Sequence, residues 1–348
     1  MNILKITDSQ NWDIGSYQIL HLSLQFKKKG HDTLIICPEP NRLFWESRKF
    51  DLKAKSFDFP KKAGFFRVQD FRIAHFYDMC AVPPLFLKLN SPEIRIIFTH
   101  TEFCGDDFSK LEKLKNIASK FIAPSKTFKE KMSGSGIPEN KIFIIPPGIN
   151  MTRWESAMLI KPAMFMERPY KIGLVSDDKT LREQEFFLNA AKKVLEKIPN
   201  TNFLIVGLKD EAIRILARKM EISHKVDILG ERTDIPEIMA LLHVFVNASD
   251  QEKLSMSVLE AQASGVPCVL PRCGISGDFV INEKNGVLAE SWDAQSYSKA
   301  IIRLIENPIL AQTISKFSHD WVENNMSIQV TANLLMSVYE EVLLLRQT

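Results

Sequence analysis

Two glutamates eight residues apart, Glu252 and Glu260, stand in the stretch Val244-Phe-Val-Asn-Ala-Ser249-Asp-Gln-Glu252-Lys-Leu-Ser255-Met256-Ser-Val-Leu-Glu260-Ala-Gln-Ala-Ser-Gly265-Val-Pro267. The apolar run at its head reads as a buried strand ending at Ser249, followed by a short polar loop that presents Glu252. A helix then opens near Ser255 to Ser257 and closes at Gly265. Carboxylates accept hydrogen bonds from hydroxyl pairs such as those of a sugar. The amides at the helix start, around Ser255 and Met256, have no partner within the helix and suit a phosphate. A pair of glutamates near one helix is ordinarily a solvated face. Its combination with a strand end and a helix start is what points to a ligand joining a diphosphate to sugars.

These residues need a scaffold, and the rest of the chain supplies its pattern. Apolar, β-branched runs alternate with helical-period stretches almost throughout, the sign of βαβ units on parallel sheets. Strands are predicted at Ile3 to Ile6, Thr33 to Cys37, Arg72 to His75, Ile94 to Phe98, Phe121 to Pro124 and Ile142 to Ile145. The stretch Met151 to Pro169 breaks the rhythm and reads as a linker. A second series follows at Lys171 to Val175, Phe203 to Val206, Val226 to Leu229, Val244 to Val246 and Cys268 to Leu270, with helices at Glu185 to Glu196 and Asp234 to Leu242. The end of the chain, Ile328 to Leu345, has apolar residues three to four apart, a helix with one buried face that either domain could receive.

Composition narrows the classes. The 348 residues suffice for two domains, and no apolar run approaches the roughly 20 residues needed to span a bilayer. A net charge of +3 is too small for a nucleic-acid binder. Five scattered cysteines without paired spacing fit a reducing compartment, and the start lacks signal-peptide features, so a cytoplasmic location is expected. Between Arg42 and Arg72, nine Lys or Arg against four acids interleave with Trp45 and with Phe44, Phe50, Phe57, Phe59, Phe65 and Phe66. That stretch has two readings: a peripheral membrane patch or loops folded around an acceptor.

The order and spacing of several segments resemble the retaining GT-B glycosyltransferases of family four, glycosyl transferases group 1. The segments are Glu252 with Glu260; Gly265-Val-Pro267; Gly274-Ile-Ser-Gly-Asp278-Phe-Val; Asn285-Gly-Val-Leu; Leu229-Gly-Glu-Arg-Thr-Asp234; Phe203-Leu-Ile-Val-Gly207; and Ile145-Pro-Pro-Gly148-Ile-Asn150. The resemblance implies an α/β, GT-B fold of two facing Rossmann-like domains with an interdomain cleft. Residues 1–155 would form the acceptor domain, with 328–348 as a candidate to complete it, and 156–327 the nucleotide-sugar donor domain. It further implies transfer of a sugar from a nucleotide-diphosphate-sugar to a hydroxyl of a glycan or lipid-linked acceptor, with retention and with neither cofactor nor metal.

By the same resemblance Glu252 contacts the transferred sugar, Glu260 the ribose, and the loop holding Arg232 the base. Gly15 and Ser16 occupy the place of a glycine-rich turn that approaches the donor phosphates, although only one glycine is present. His100, in Phe98-Thr-His100-Thr-Glu, matches a histidine on the acceptor side. Family members usually carry an arginine just after the first strand of the second domain and a lysine five residues later; here those places hold Asp177 and Arg182. Fixed cations on the departing diphosphate are normally a large part of catalysis. Arg182 therefore carries that role, with Lys179 as the nearest substitute for the missing cation. The Asp177 departure also motivates an alternative: a non-catalytic GT-B subunit that binds a partner transferase or glycan. Of the remaining histidines, His21, His31, His224, His243 and His319 read as structural and His75, at a strand end, as a candidate to line the cleft, while the pairs Asp106-Asp107 and Asp177-Asp178 read as turns.

Overall fold

The computed structural model describes residues 1–38, 41–57, 70–77, 93–100, 114–176, 181–207, 211–249, 255–273 and 276–344. The chain divides into two compact units, Met1–Asn150 together with Met326–Thr348, and Met151–Asn325.

Among the described residues the first unit holds seven parallel strands: β1 Asn2–Thr7, β2 Asp32–Pro38, β3 Lys53–Phe57, β4 Ile73–Tyr77, β5 Arg95–Thr99, β6 Lys120–Ala123 and β7 Ile142–Ile144. Their spatial order is β3-β2-β1-β4-β5-β6-β7. Central strands of such a sheet are covered on both faces and read as unbroken apolar runs; β4 is buried at every position. Edge strand β3 escapes that rule, because Lys53 and Lys55 are exposed while Ala54 is buried, so no apolar run announced it. Helices α1 (Ile14–Lys28), α2 (Arg42–Lys49) and α3 (Lys126–Gly134) open on side-chain caps from Asp13, Asn41 and Ser125.

The second unit begins with α4 (Glu155–Met164), inside the stretch expected to be a linker. Pro162 lies within this helix, and a single face of it carries the burial, with Ala157 and Lys161 buried and Leu159 exposed. That sparse face explains why periodicity did not reveal it. There follow β8 (Tyr170–Val175), α5 (Arg182–Leu195), β9 (Thr201–Val206), α6 (Glu211–Lys219), β10 (Val226–Gly230), α7 (Ile235–Leu241) and β11 (Val244–Val246). Then come α8 (Met256–Ala263), β12 (Cys268–Pro271), α9 (Ser276–Phe279), β13 (Val287–Ala289), α10 (Ala294–Glu306) and α11 (Pro308–Met326). The strands are again all parallel, in the order β10-β9-β8-β11-β12-β13. Strand β11 covers Val244–Val246, the expected strand, and the three residues on to Ser249 that the motif had read as its continuation are not part of it.

The last helix, α12 (Ile328–Leu344), joins the first unit. Ile149 and Ile328 exchange backbone bonds with their surroundings here: the Ile149 amide donates to Met326 at 2.8 Å and the Ile328 amide donates to Ile149 at 2.8 Å. Leu335, Val338, Tyr339 and Val342 then pack on Phe26, Ile3, Ile73 and Ile97. At roughly 1.5–3 kcal/mol per buried large aliphatic side chain, this face fixes the helix to the first sheet.

Candidate functional site

In the second sheet β8 and β11 are neighbours, although β9 and β10 intervene in sequence. Strand order reverses there, and in sheets of this kind the loops after the two strands part to leave a crevice where ligands bind. The loop after β8 leads to α5 and the loop after β11 leads to α8. Three contacts set the crevice. The Ser176 hydroxyl donates to the Glu183 carboxylate at 2.6 Å, both buried. The Ser255 and Ser257 hydroxyls meet at 2.6 Å, and Ser257 donates to the Val175 carbonyl at 3.4 Å, tying the start of α8 to the end of β8. Gly207, at φ +132°, ends β9 so close to β8 that a Cβ there would lie 2.3 Å from the Ser176 carbonyl oxygen.

Arg182 opens α5, exposed, with its guanidinium 3.8 Å above the Trp292 ring. Trp292 adopts φ +57°, a left-handed conformation that a bulky side chain rarely takes. It packs edge-on against Phe186 at 5.2 Å, Phe186 packs on Tyr297 at 4.9 Å, and the Tyr297 hydroxyl donates to the Asn247 carbonyl at 3.0 Å. A chain of aromatic contacts thus runs from Arg182 to the end of β11. Trp292, Tyr297 and Ser257 were missed from sequence; the lone tryptophan before a capped helix was the signal available. Glu260 lies half-buried on α8, one turn from Met256. Glu252, Lys179 and Asp177 lie outside the described residues. Arg232, on the loop after β10, forks onto Asp234 with Nε at 2.7 Å from Oδ1. The pairing holds the Asp234 carboxyl below and the Arg232 guanidinium above their usual ranges.

The other expected residues belong to the first unit. Gly15 and Ser16 are buried in the first turn of α1. The Asp13 carboxylate accepts from the Ser16 amide at 2.7 Å and from the Ser9 hydroxyl, so this helix start already holds an anion of the protein's own. His100 follows β5, buried, with its ring 5.5 Å from Phe128. Beneath it lies a polar cluster: the His75 ring bonds Tyr339 and Thr99 at 2.6 Å each, and the Lys5 ammonium donates to the Tyr77 hydroxyl at 3.1 Å. Burial, aided by the Lys5 charge, pushes His75 well below its usual value, and burial alone lowers Lys5.

Among the described residues the group with metal-ligand spacing is His319, Asp320 and Glu323 on α11, mostly exposed and in a different segment from both crevice loops.

The model for glycosyl transferases group 1 matches residues 170–307, from β8 through α10. That match takes in every strand of the second sheet and both strands that border the crevice. The UDP-Gal:alpha-D-GlcNAc-diphosphoundecaprenol alpha-1,3-galactosyltransferase of Escherichia coli is 27% identical over 209 residues, 57% of this chain and 54% of that protein. An N,N'-diacetylbacillosaminyl-diphospho-undecaprenol alpha-1,3-N-acetylgalactosaminyltransferase of Campylobacter jejuni is likewise 27% identical over 207 residues, 57% and 54% of the two chains. The matched part thus spans about half the length of these relatives. A glycosyltransferase structure from Rickettsia africae superposes with a TM-score of 0.83 at 18% identity over 98% of both chains. Anabaena HepE, solved with UDP and glucose, gives 0.81 at 14% identity over 98% of this chain and all of that one. These likenesses show the GT-B fold, with its two Rossmann-like parallel-sheet domains.

Proposed function

We propose that the chain is a glycosyltransferase that moves a sugar from a nucleotide-diphosphate-sugar to a hydroxyl acceptor. The observation that carries this reading is the family match laid directly over the β8/β11 crevice. The first amides of α8, at Met256 and Ser257, would take the diphosphate, with Arg182 stacked on Trp292 as the cation facing it. Glu260 would hold the ribose hydroxyls and Glu252 the transferred sugar, with the base toward the Arg232 loop. Pre-positioned donors and a fixed cation stabilise the charge that develops on the leaving diphosphate. Retention follows from family resemblance through front-face displacement, in which the departing phosphate helps take the acceptor proton and no metal is needed.

The named relatives act on sugars carried on diphosphoundecaprenol, which supports a lipid-linked glycan as the acceptor. Among the described residues no helix is long and apolar enough to cross a membrane. Contact with a bilayer from the cytoplasm would instead fall to α2, where Trp45 is 64% and Phe50 46% exposed beside Arg42, Arg48 and Lys49. Residues 58–69 of the 42–72 stretch lie outside the described residues.

The test is a panel of nucleotide-diphosphate sugars against the purified protein, scored by calorimetric binding and slow donor hydrolysis, with Glu260→Ala and Arg182→Ala alongside. One donor that binds, turns over and loses affinity in both variants supports the reading. Donor binding with no hydrolysis or transfer would favour the scaffold alternative, and no binding at all would remove the site.

A further inference from the structure

Two bases stand side by side in the first sheet. Lys5 on β1 and His75 on β4 are register partners, so their side chains share a face, and both are fully buried. Lys5 Nζ meets the Tyr77 hydroxyl at 3.1 Å and lies 4.8 Å from the Phe26 ring centre of α1. His75 joins three elements: Nδ1 is 2.6 Å from the Tyr339 hydroxyl of α12 and Nε2 is 2.6 Å from the Thr99 hydroxyl of β5. Among the described residues neither base has a carboxylate partner. The charges on the surrounding elements are engaged elsewhere. On α12, Glu341 pairs with Lys120 at 2.8 Å and Glu340 faces His31. Arg95, at the far end of β5, donates to the Val342 carbonyl at 3.1 Å, and Lys27 of α1 pairs with Asp51 at 2.7 Å.

A neutral imidazole carries one N–H and one bare nitrogen, so one of the two hydroxyls donates to the ring and the other accepts from it. Burial decides which. Tyr339 is fully buried and has no other hydrogen-bond partner among the described residues, so its hydrogen needs the ring. Thr99 is partly exposed and lines a pocket beyond the carboxyl ends of β4 to β7, where its own hydrogen can reach water. The ring proton therefore sits on Nε2, and Nδ1 accepts from Tyr339. Nδ1 is also where a second proton must go. Protonation there turns the acceptor into a donor, strands the Tyr339 hydrogen in a dry contact and sets a cation beside Lys5, each of which is unfavourable. Burial first, and then the Lys5 charge, accordingly hold His75 well below its usual 6.5. A base lowered in this way by folding contributes stability that is complete above 6.5 and is lost as pH falls below it.

We propose that the bond from Tyr339 to His75 is an acid-sensitive latch holding α12 on the first sheet. When His75 takes a proton the helix loosens, and with it the part of the pocket wall that α12 supplies through Thr331 and Leu335. The latch belongs to the first unit alone and does not depend on the reaction the chain performs.

The experiment is hydrogen exchange of the full chain between about pH 5 and 8, read by mass spectrometry on peptides of α12 and corrected for intrinsic exchange, with α10 of the second unit as reference. Wild type is compared with His75→Asn, which keeps an acceptor for Tyr339 at the place of Nδ1 and cannot titrate. The ratio of α12 protection in wild type to that in His75→Asn should be level above 6.5 and fall below it, by up to about tenfold per pH unit. Slopes contributed by Lys5, or by His31 beside Glu340, are common to both proteins and cancel in the ratio. Lys5→Met, which removes the neighbouring charge, should shrink the acid loss. If His75→Asn does not fold, nitrogen-15 NMR of His75 in wild type at about pH 8 decides instead, with a bare Nδ1 and an N–H at Nε2 expected. An Nδ1–H tautomer, wild-type α12 protection that does not fall relative to α10 below 6.5, or an equal fall in His75→Asn overturns the latch.

Discussion

Replacing Gly207 with alanine tests whether the strand ends around the crevice are as close as the structure has them. Two costs combine. At φ +132° an alanine is strained by about 1–3 kcal/mol. Its Cβ would also sit 2.3 Å from the Ser176 carbonyl oxygen and 3.3 Å from that carbonyl carbon, backbone atoms that cannot swing aside as a side-chain tip would. The end of β8 must move by several tenths of an ångström, disturbing the bond from the Gly207 amide to the Gly230 carbonyl (3.1 Å) and the Ser176 bond to Glu183. The total should reach about 3–5 kcal/mol, in the range where a single change is diagnostic. Gly30 is the control: φ is +77° there and nothing lies within 4 Å of an added Cβ, so Gly30→Ala should cost only the conformational part, about 1 kcal/mol. The assay is urea denaturation of both variants beside wild type, followed by calorimetry with UDP on whichever fold. If Gly207→Ala costs no more than Gly30→Ala, the close approach at the crevice is wrong, and with it the positioning argued for Ser176 and α5.

Further outcomes are expected elsewhere. Arg182→Ala should weaken nucleoside-diphosphate binding by about tenfold to a hundredfold, the worth of one charge-assisted hydrogen bond; Trp292→Ala should show part of that loss by releasing the guanidinium, and no loss in either variant would count against the stacked cation. Lys161, buried in α4, donates to the carbonyls of Met239, Ala240 and Leu242 at 2.7, 3.1 and 2.7 Å, while burial pushes its pKa down to about 7 from 10.5. The folded chain then sheds this proton before the unfolded chain does, so stability rises with pH between about 7 and 10 by up to ~1.4 kcal/mol per unit. Lys161→Met should lose that rise in denaturation midpoints, and an unchanged pH slope would refute the assignment. Trp45→Ala combined with Arg48→Glu should reduce co-sedimentation with anionic vesicles at low salt without altering UDP affinity; wild-type protein that never sediments would remove the membrane reading.

Much of the architecture was readable because parallel strands buried on both faces leave unbroken apolar runs. Strands β1, β2 and β4 to β7, and the helix Met256–Ala263, fall within a few residues of their expected places. The misses share a cause. Edge strand β3 alternates lysine with alanine, β13 is three residues long, and α4 hides one thin buried face around a proline, so none carries enough local pattern. The site divides in the same way. Ser255, Met256 and Glu260 could be singled out by type and spacing and Arg182 by its place in the family resemblance, whereas Trp292 and Tyr297 sit far along the chain and become relevant only by contact.

By itself the sequence determined the alternation of strand and helix, the doubling into two parallel-sheet domains and a resemblance of motifs to glycosyl transferases group 1. These depend on local periodicity and on short motifs, which a chain carries in its own order. Tertiary structure alone decided that β8 lies beside β11, that α12 returns to the first sheet, and that Lys161 is buried under three carbonyls. Each of those facts joins residues tens to hundreds of positions apart. Such pairings are selected by competition among whole-chain packings, and no local run of residue types encodes their outcome.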